Sequence, residues 1–284
     1  MKATNEISTV LVDGRSFAEA RPRRAATRPL TLAALAAFAA GACHSSEPQL
    51  IGQKTLLAGQ TVLGTAQSFA VLAGSTVTNT GSTTVYGNLG VDPGLAVTGF
   101  PPGLVNGGTV HAGDSVALIA QNDTTTAYNT LAGEAPTLDL TGKDLGGLTL
   151  TAGVYSFSSS EQLTGALTLD AKGDPSSVFV FQIGSTLTTA TDSSVVVINK
   201  AEDCNVFWQV GTSATIGTTT AFKGNILALT SITLNTGATV SGRALARNAA
   251  VTMDANNVST LNCATPADAG VDAGKPGDGG IDTG

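Results

Sequence analysis

Threonine recurs through the second half of the chain in one local sequence frame, with large apolar residues close by. The steps between these threonines are 20, 27, 18 and 19 residues. Alternate side chains of a β-strand face opposite sides, so the apolar neighbours would point inward and the threonine outward. A near-constant period of about twenty residues is typical of a solenoid. We therefore predict an external column of hydroxyl and methyl groups, formed by Thr168, Thr188, Thr215, Thr233 and Thr252.

Residues that could carry acid–base, nucleophilic or metal chemistry are few and scattered. The carboxylates fall near turn-like segments and form no pair that repeats from one period to the next. The two histidines, His44 and His111, are far apart, and His111 has no obvious nucleophile partner in the sequence. The cysteines and histidines lack the spacing of metal ligands. We predict no catalytic residue, no metal ion, no cofactor and no enzyme.

Each period that carries a threonine also contains two further strand-like segments. The second type includes SSVVVI, TAFKG and ATVSG, and the third includes NVFWQVG, GNILAL and GRALAR. Three strands per turn predict a triangular parallel β-helix whose coils pack their inward apolar side chains on one another. The aromatic cluster of Phe179, Phe181, Phe207 and Trp208 fits this core better than a sugar-binding platform.

One segment departs from the strand pattern. Residues 114–132 have apolar or small side chains at near-helical spacing. Asp114 is a suitable N-cap for this helix, and Gly133 is a suitable C-cap. Three successive threonines, at positions 124–126, lower its propensity, so the helix should depend on packing against the domain. The predicted fold class is all-β with one α-helix.

The N-terminus has the pattern of an export signal. Four arginines precede an apolar run at residues 30–42, which is too short to span a bilayer as a helix. The run ends in Ala40-Gly41-Ala42-Cys43, which is similar to a bacterial lipoprotein box. Acylation of Cys43 would anchor the exported protein in the cell envelope. Secretion with a structural Cys43 is the alternative.

The chain divides into four regions. We assign a signal peptide to residues 1–43, a spacer to 44–58, the solenoid domain to 59–263 and a low-complexity tail to 264–284. The tail is rich in Asp, Ala, Gly and Pro and has no core, so we expect it to be disordered.

Cys204 and Cys263 are the two cysteines left if Cys43 is lipidated. An oxidising compartment would permit a disulfide between them. The two residues are separated by three predicted coils, about 14 Å at about 4.8 Å per coil, whereas a disulfide spans about 7 Å at most between Cα atoms. A bridge would therefore require the last segment to fold back, and both outcomes stay open.

Charge and composition limit the possible partners. Charged residues make up 12% of the chain, and the formal net charge is −7. Nucleic acid binding needs basic patches, so this balance argues against it. We expect an exported monomer, either lipid-anchored or secreted.

Residues 57–258 resemble the microbial ice-binding proteins. The matching stretches include LAGSTVTNTGSTTVYGNLGV, the GLVNGGTVHAGDS lead-in to the helix, LTAGVYSFSSS and NVFWQVGTSATIGTTTAFKGNILALTSITLNTGATVSGRALA. The resemblance implies a discontinuous right-handed β-solenoid with a long helix packed alongside. It also implies that the N-terminal coil stacks beside the last one.

The resemblance implies an ice crystal surface as the partner. Asp170 and Asp254 would stand at the two ends of the threonine column. The central threonines of the column, with the threonines at the adjoining turns, should therefore contribute most to ice binding. An adhesion or structural module of the same fold without ice activity is the alternative. The candidate ice-binding residues are Thr188, Thr215, Thr233, Thr191, Thr218, Thr236, Thr168, Thr252 and Thr239.

Overall fold

The computed structural model describes residues 62–261 of the chain. The predicted signal peptide, Cys43, the spacer, Cys263 and the tail lie outside these residues. No helix in the described range is long and apolar enough to cross a membrane.

Short β-strands and one long α-helix make up the described region. Valine, threonine and isoleucine recur in these strands because β-branched side chains pack well on a pleated surface. The helix is α1 (Ser115–Ala132). The strands are β1 (Phe69–Ala73), β2 (Thr76–Thr80), β3 (Thr84–Tyr86), β4 (Asn88–Val91), β5 (Ala96–Thr98), β6 (Leu104–Asn106), β7 (Val110–Ala112), β8 (Leu138–Asp139), β9 (Thr149–Thr151), β10 (Gly153–Phe157), β11 (Glu161–Leu163), β12 (Ala166–Asp170), β13 (Phe179–Ile183), β14 (Leu187–Thr189), β15 (Ser194–Ile198), β16 (Val206–Val210), β17 (Ala214–Ile216), β18 (Ala221–Ala228), β19 (Ile232–Leu234), β20 (Thr239–Ala246), β21 (Val251–Asp254) and β22 (Asn257–Ser259).

The strands build a parallel β-helix with three faces, which confirms the predicted fold class. The threonine face consists of β11, β14, β17, β19, β21, β2 and β5, in that order across the sheet. The helix-side face runs from β8 through β10, β13 and β16 to the second halves of β18 and β20, and then to β1, β4 and β7. The third face contains β9, β12, β15, the first halves of β18 and β20, β22, β3 and β6.

The order of the coils in space differs from their order in the chain. The coil β1–β2–β3 stacks directly on the last coil, because β1 pairs with β20, β2 with β21 and β3 with β22. The coil β4–β5–β6 follows it on the outside. The discontinuous solenoid implied by the family resemblance is therefore confirmed. The threonine face combines strands from both ends of the domain.

Two strands run continuously around a corner, although the sequence predicts separate strands there. Strands β18 and β20 each pass from the third face to the helix-side face at a glycine with positive φ, Gly224 (109°) and Gly242 (141°). A Cβ atom at Gly224 would lie 2.8 Å from the Cβ atom of Val206. Only glycine therefore permits both this backbone conformation and the close approach of the neighbouring coil.

Helix α1 begins and ends where the capping residues predict. The Asp114 Oδ1 atom accepts hydrogen bonds from the backbone N–H groups of Val116 and Ala117, at 3.0 and 2.9 Å. Gly133 is the C-cap, and its N–H donates to the carbonyl of Asn129. The buried side of the helix packs on the helix-side face through Ala117, Ala120, Thr124, Ala127, Tyr128 and Leu131.

An aromatic stack runs through the interior of the solenoid, mainly along the helix-side face. The ring centroids of Phe181 and Trp208 lie 4.0 Å apart with an interplanar angle of 10°, and Tyr155 and Phe222 extend the stack on either side. Trp208 is fully buried, and its Nε1–H donates to the carbonyl of Lys223 at 3.0 Å. The predicted core role of Phe179, Phe181, Phe207 and Trp208 agrees with their complete burial.

Cys204 is buried and disulfide-bonded. The adjacent Asp203 accepts hydrogen bonds from Lys223 and Ser241, which lie on the next two coils of the third face. The predicted partner, Cys263, lies outside the described residues, so the Cys204–Cys263 pairing stays a prediction.

Candidate functional site

Six threonines form a continuous ladder across the threonine face. Successive members are partners in neighbouring parallel strands. Within each strand, the side chains that flank the threonine point inward, toward the core. At about 4.8 Å per strand the ladder is about 24 Å long. We call this set the threonine ladder; its members in spatial order are Thr188, Thr215, Thr233, Thr252, Thr78 and Thr98.

A second row of small side chains runs beside the ladder, two residues earlier in the chain than each ladder threonine, at or just before the start of each strand. Its members are Thr186, Ser213, Ser231, Ala250, Thr76 and Ala96. Hydroxyl groups in this row bond to one another across the coils: Ser231 Oγ donates to Ser213 Oγ at 2.9 Å, and Thr186 Oγ1 donates to Ser160 Oγ at 2.8 Å. These bonds tie neighbouring coils together.

A third row lies where the threonine face turns toward the third face. Each turn is hydrogen-bonded to the next one along the stack, from a backbone N–H group to a backbone carbonyl. The four donor–acceptor pairs are Asp192 to Thr218, Thr219 to Thr236, Gly237 to Asp254 and Ala255 to Thr80. Each turn has one residue with positive φ, for example Asp192 (58°) and Gly237 (72°), so the backbone bends in the same way on successive coils. We call the outward residues of this row the corner column; they are Thr191, Thr218, Thr236, Asp254 and Thr80.

The three rows carry little charge. Among the outward positions of the described strands of this face, Asp254 is the one ionisable side chain. Asp192 lies in the adjoining turn, where its carboxylate accepts a hydrogen bond from the Thr219 hydroxyl. The rest of the surface is threonine, serine, alanine, glycine and two amides. Such a surface can order water through methyl and hydroxyl groups, without ion pairing.

The structure confirms the column at four of its five predicted positions and contradicts it at Thr168. Thr168 lies in β12 on the third face, where it pairs with Thr149 and Val196. The residue in register with Thr188 is Gln162 of β11. The prediction is wrong because residues 171–178 form a long connection before β13, so the 20-residue step from Thr168 to Thr188 joins strands of different faces.

The remaining predicted residues fall into two groups. Thr191, Thr218 and Thr236 are in the corner column. Thr239 begins β20 on the third face and pairs with Ala221 and Asn257. The third face is less regular than the threonine face, because its outward side chains include Val196, Ile198 and Lys223.

Sequence reasoning missed Thr78 and Thr98. Each follows an inward valine, and they are 20 residues apart, which is close to the 18- and 19-residue steps that join Thr215, Thr233 and Thr252. The order of residues in the chain does not place them in the ladder, because the first coils stack after the last one.

The two aspartates predicted at the ends of the column are elsewhere. Asp170 is a buried residue of β12, where Lys172 and Asn199 donate to it at 2.6 and 2.8 Å. These hydrogen bonds lower the pKa of Asp170 to about 2. Asp254 lies in the middle of the stack, paired with Thr80, because the first coils extend the face beyond it.

Other titratable groups are remote from the ladder or structural. His111 is hydrogen-bonded at both ring nitrogens: its Nε2 atom lies 2.8 Å from Thr109 Oγ1, and its Nδ1 atom lies 2.7 Å from Asp114 Oδ2. This network fixes the N-cap of α1. Within residues 62–261, no group of three or more His, Cys, Asp or Glu side chains could hold a metal ion.

Glu161 is a carboxylate in a core position. It is the cross-strand partner of Leu187, only 2% of its surface is exposed, and its Oε1 atom has no hydrogen-bond partner among the described residues. Burial raises the pKa of Glu161 to about 7; the charge of Asp144 adds to the rise, and the backbone N–H groups of Gln162 and Leu145 oppose it.

Comparison with known proteins gives consistent matches over this domain. A family model described as ice-binding-like matches residues 71–259, which include every strand of the threonine face. An ice-binding protein of Nostoc sp. (strain HG1) is 64% identical over 199 residues, 70% of this chain and 73% of that protein.

Solved structures show the same similarity. An ice-binding protein from an Antarctic biological consortium has a TM-score of 0.68 and 52% identity, over 69% of this chain and 89% of that one. An ice-binding protein of the Antarctic ascomycete Antarctomyces psychrotrophicus has a TM-score of 0.67 and 44% identity, over 69% of this chain and 96% of that one.

Proposed function

This chain belongs to the ice-binding-like family, and we propose that it adsorbs to ice through the threonine face and thereby inhibits ice growth or recrystallisation. One observation carries the assignment to this face. The six rungs of the threonine ladder are in register across strands from both ends of the domain, and rows of small side chains flank them.

The spacing of the ladder suits a crystalline ligand. Parallel strands repeat at about 4.8 Å, near a lattice repeat of ice, and residues two apart along a strand are separated by about 6.6 Å. The three rows therefore form a two-dimensional array. Threonine has a stiff χ1 angle, so its methyl and hydroxyl groups keep the same orientation from rung to rung.

The chemistry of the array favours ice over liquid water. The methyl groups order the water above them, and the hydroxyl groups bond that water to the protein. An ionised side chain would impose its own hydration shell and would be costly to desolvate. The nearly uncharged threonine face supports adsorption for this reason. This function uses surface adsorption alone, and we propose no catalytic step.

A substitution in the middle of the ladder tests the proposal. Thr233 lies between Thr215 and Thr252 and is partly exposed. Thr233→Tyr would project a ring beyond the surface and hold it away from ice, so we expect the loss of most thermal hysteresis and recrystallisation inhibition. Thr149→Tyr is the matched control, because Thr149 is an exposed strand threonine on the third face. Equal activity of both variants, with the fold intact by circular dichroism, would refute the assignment.

We also propose that the protein acts outside the cytoplasm, as a lipid-anchored or secreted monomer. The support is the sequence pattern ending at Cys43. Mass spectrometry of the mature N-terminus tests it. An acylated Cys43 is the result expected for the anchored form, and an intact residue 1 in the mature protein would contradict export through this signal.

A further inference from the structure

The corner column is interrupted by one carboxylate. Asp254 lies between Thr236 and Thr80: Gly237 N–H donates to the Asp254 carbonyl, and Asp254 pairs with Thr80. It also ends the strand that carries Thr252 of the threonine ladder. The side chain is partly exposed and therefore stands within the proposed ice-binding array.

The carboxylate of Asp254 also accepts a hydrogen bond from a neighbouring threonine hydroxyl. Asp254 Oδ2 accepts a hydrogen bond from Thr236 Oγ1 at 2.5 Å. The single proton of that hydroxyl is then directed at the carboxylate, so it is not available to a water molecule on the surface. Asp254 thus affects two adjacent positions of the corner column.

The local backbone does not depend on this carboxylate. The turn after β21 is two residues shorter than the turn after β19. Asn256 supports it by accepting a hydrogen bond from Asp254 N–H and by donating to the carbonyls of Asn235 and Ala238. The position has extended strand geometry, which threonine favours. Threonine could therefore replace Asp254 without rebuilding the turn.

We propose that Asp254 limits the affinity of the threonine face for ice, and that a threonine at this position increases it. This inference rests on the proposed function. An ionised group at the contact must lose part of its hydration shell, and ice offers no counter-charge in return. Asp254→Thr removes the charge, frees the Thr236 hydroxyl and completes a column of five threonines.

The test compares variants in one thermal hysteresis series measured against protein concentration. For Asp254→Thr we expect the wild-type activity at about one tenth of the concentration, a shift worth about 1.4 kcal/mol. Asp254→Asn, which is nearly isosteric, should show a smaller gain in the same direction. Glu202→Gln removes a charge from an exposed residue between the third and helix-side faces, and should leave activity unchanged.

The outcomes separate this inference from the proposed function. If neither Asp254 variant exceeds wild type, while both melt cooperatively and Thr233→Tyr abolishes activity, then Asp254 does not limit adsorption and the threonine face still binds ice. An equal gain in Glu202→Gln would also overturn the inference, because the effect would then be one of net charge. If Thr233→Tyr retains full activity, the proposed function itself fails.

Discussion

Glu161 should make the stability of the domain depend on pH in the opposite sense to most carboxylates. It occupies the inward row in which the neighbouring coils place Leu187 and Ala214. Burial raises its pKa from 4.5 to about 7. Between these values the folded protein binds more protons than the unfolded chain, so the contribution to stability is complete below pH 4.5 and is lost as the pH rises through about 7.

The size of this effect follows from the same shift. A rise from 4.5 to about 7 corresponds to about 3 kcal/mol if all of it acts on folding. Glu161 is itself only 2% exposed, but it adjoins a surface pocket that Lys143 and Asp144 also line, so solvent close to the carboxyl group screens part of the interaction. We expect a loss of about 1 to 2 kcal/mol between pH 5 and pH 8, which for a domain of this size lowers the Tm by about 3 to 6 °C.

Thermal unfolding at pH 5 and pH 8 measures this loss. Glu161→Gln should abolish the fall in Tm that is assigned to the carboxyl group, because the amide does not titrate. Glu202→Gln is the matched control: it removes an exposed carboxylate and should leave the pH dependence of the wild type. A Glu161→Gln protein whose Tm falls between pH 5 and pH 8 as steeply as that of the wild type would refute the reasoning.

Two further predictions concern the ladder and the helix. Thr98→Tyr should weaken ice adsorption, because Thr98 extends the ladder. Thr168→Tyr should leave adsorption unchanged, because Thr168 lies on the third face. The reverse ranking in a recrystallisation assay would contradict this strand register. Asp114→Ala should lower the chemical denaturation midpoint through loss of the N-cap, and Asp114→Asn should recover much of the loss. Equal midpoints for Asp114→Ala and wild type would argue against that role.

Local chemistry made part of the fold predictable. The helix over residues 114–132 was predicted from Asp114 and Gly133, because capping acts within one turn of the chain. The rungs from Thr188 to Thr252 were predicted because each coil there follows the previous one directly along the chain and places its threonine between inward apolar residues. In both cases the neighbours in space are also close in sequence.

The positions that were missed or wrongly predicted depend on contacts between segments that are far apart in the sequence. Thr78 and Thr98 join the ladder through a stacking of the first coils on the last, which no local pattern encodes. Thr168 was misplaced because one long connection shifts the period. The central position of Asp254 depends on the same stacking. The burial of Glu161 depends on the connection between β8 and β9, in which Leu145 N–H donates to the carbonyl of the neighbouring Gln162.

The adsorption of the protein to ice through the threonine face is the central claim. Its most direct test is partition of fluorescently labelled protein into a slowly growing ice hemisphere. We expect the wild type and Thr149→Tyr to be enriched in the ice and Thr233→Tyr to remain in the liquid. Exclusion of the wild type, or equal enrichment of Thr233→Tyr, would contradict the central claim.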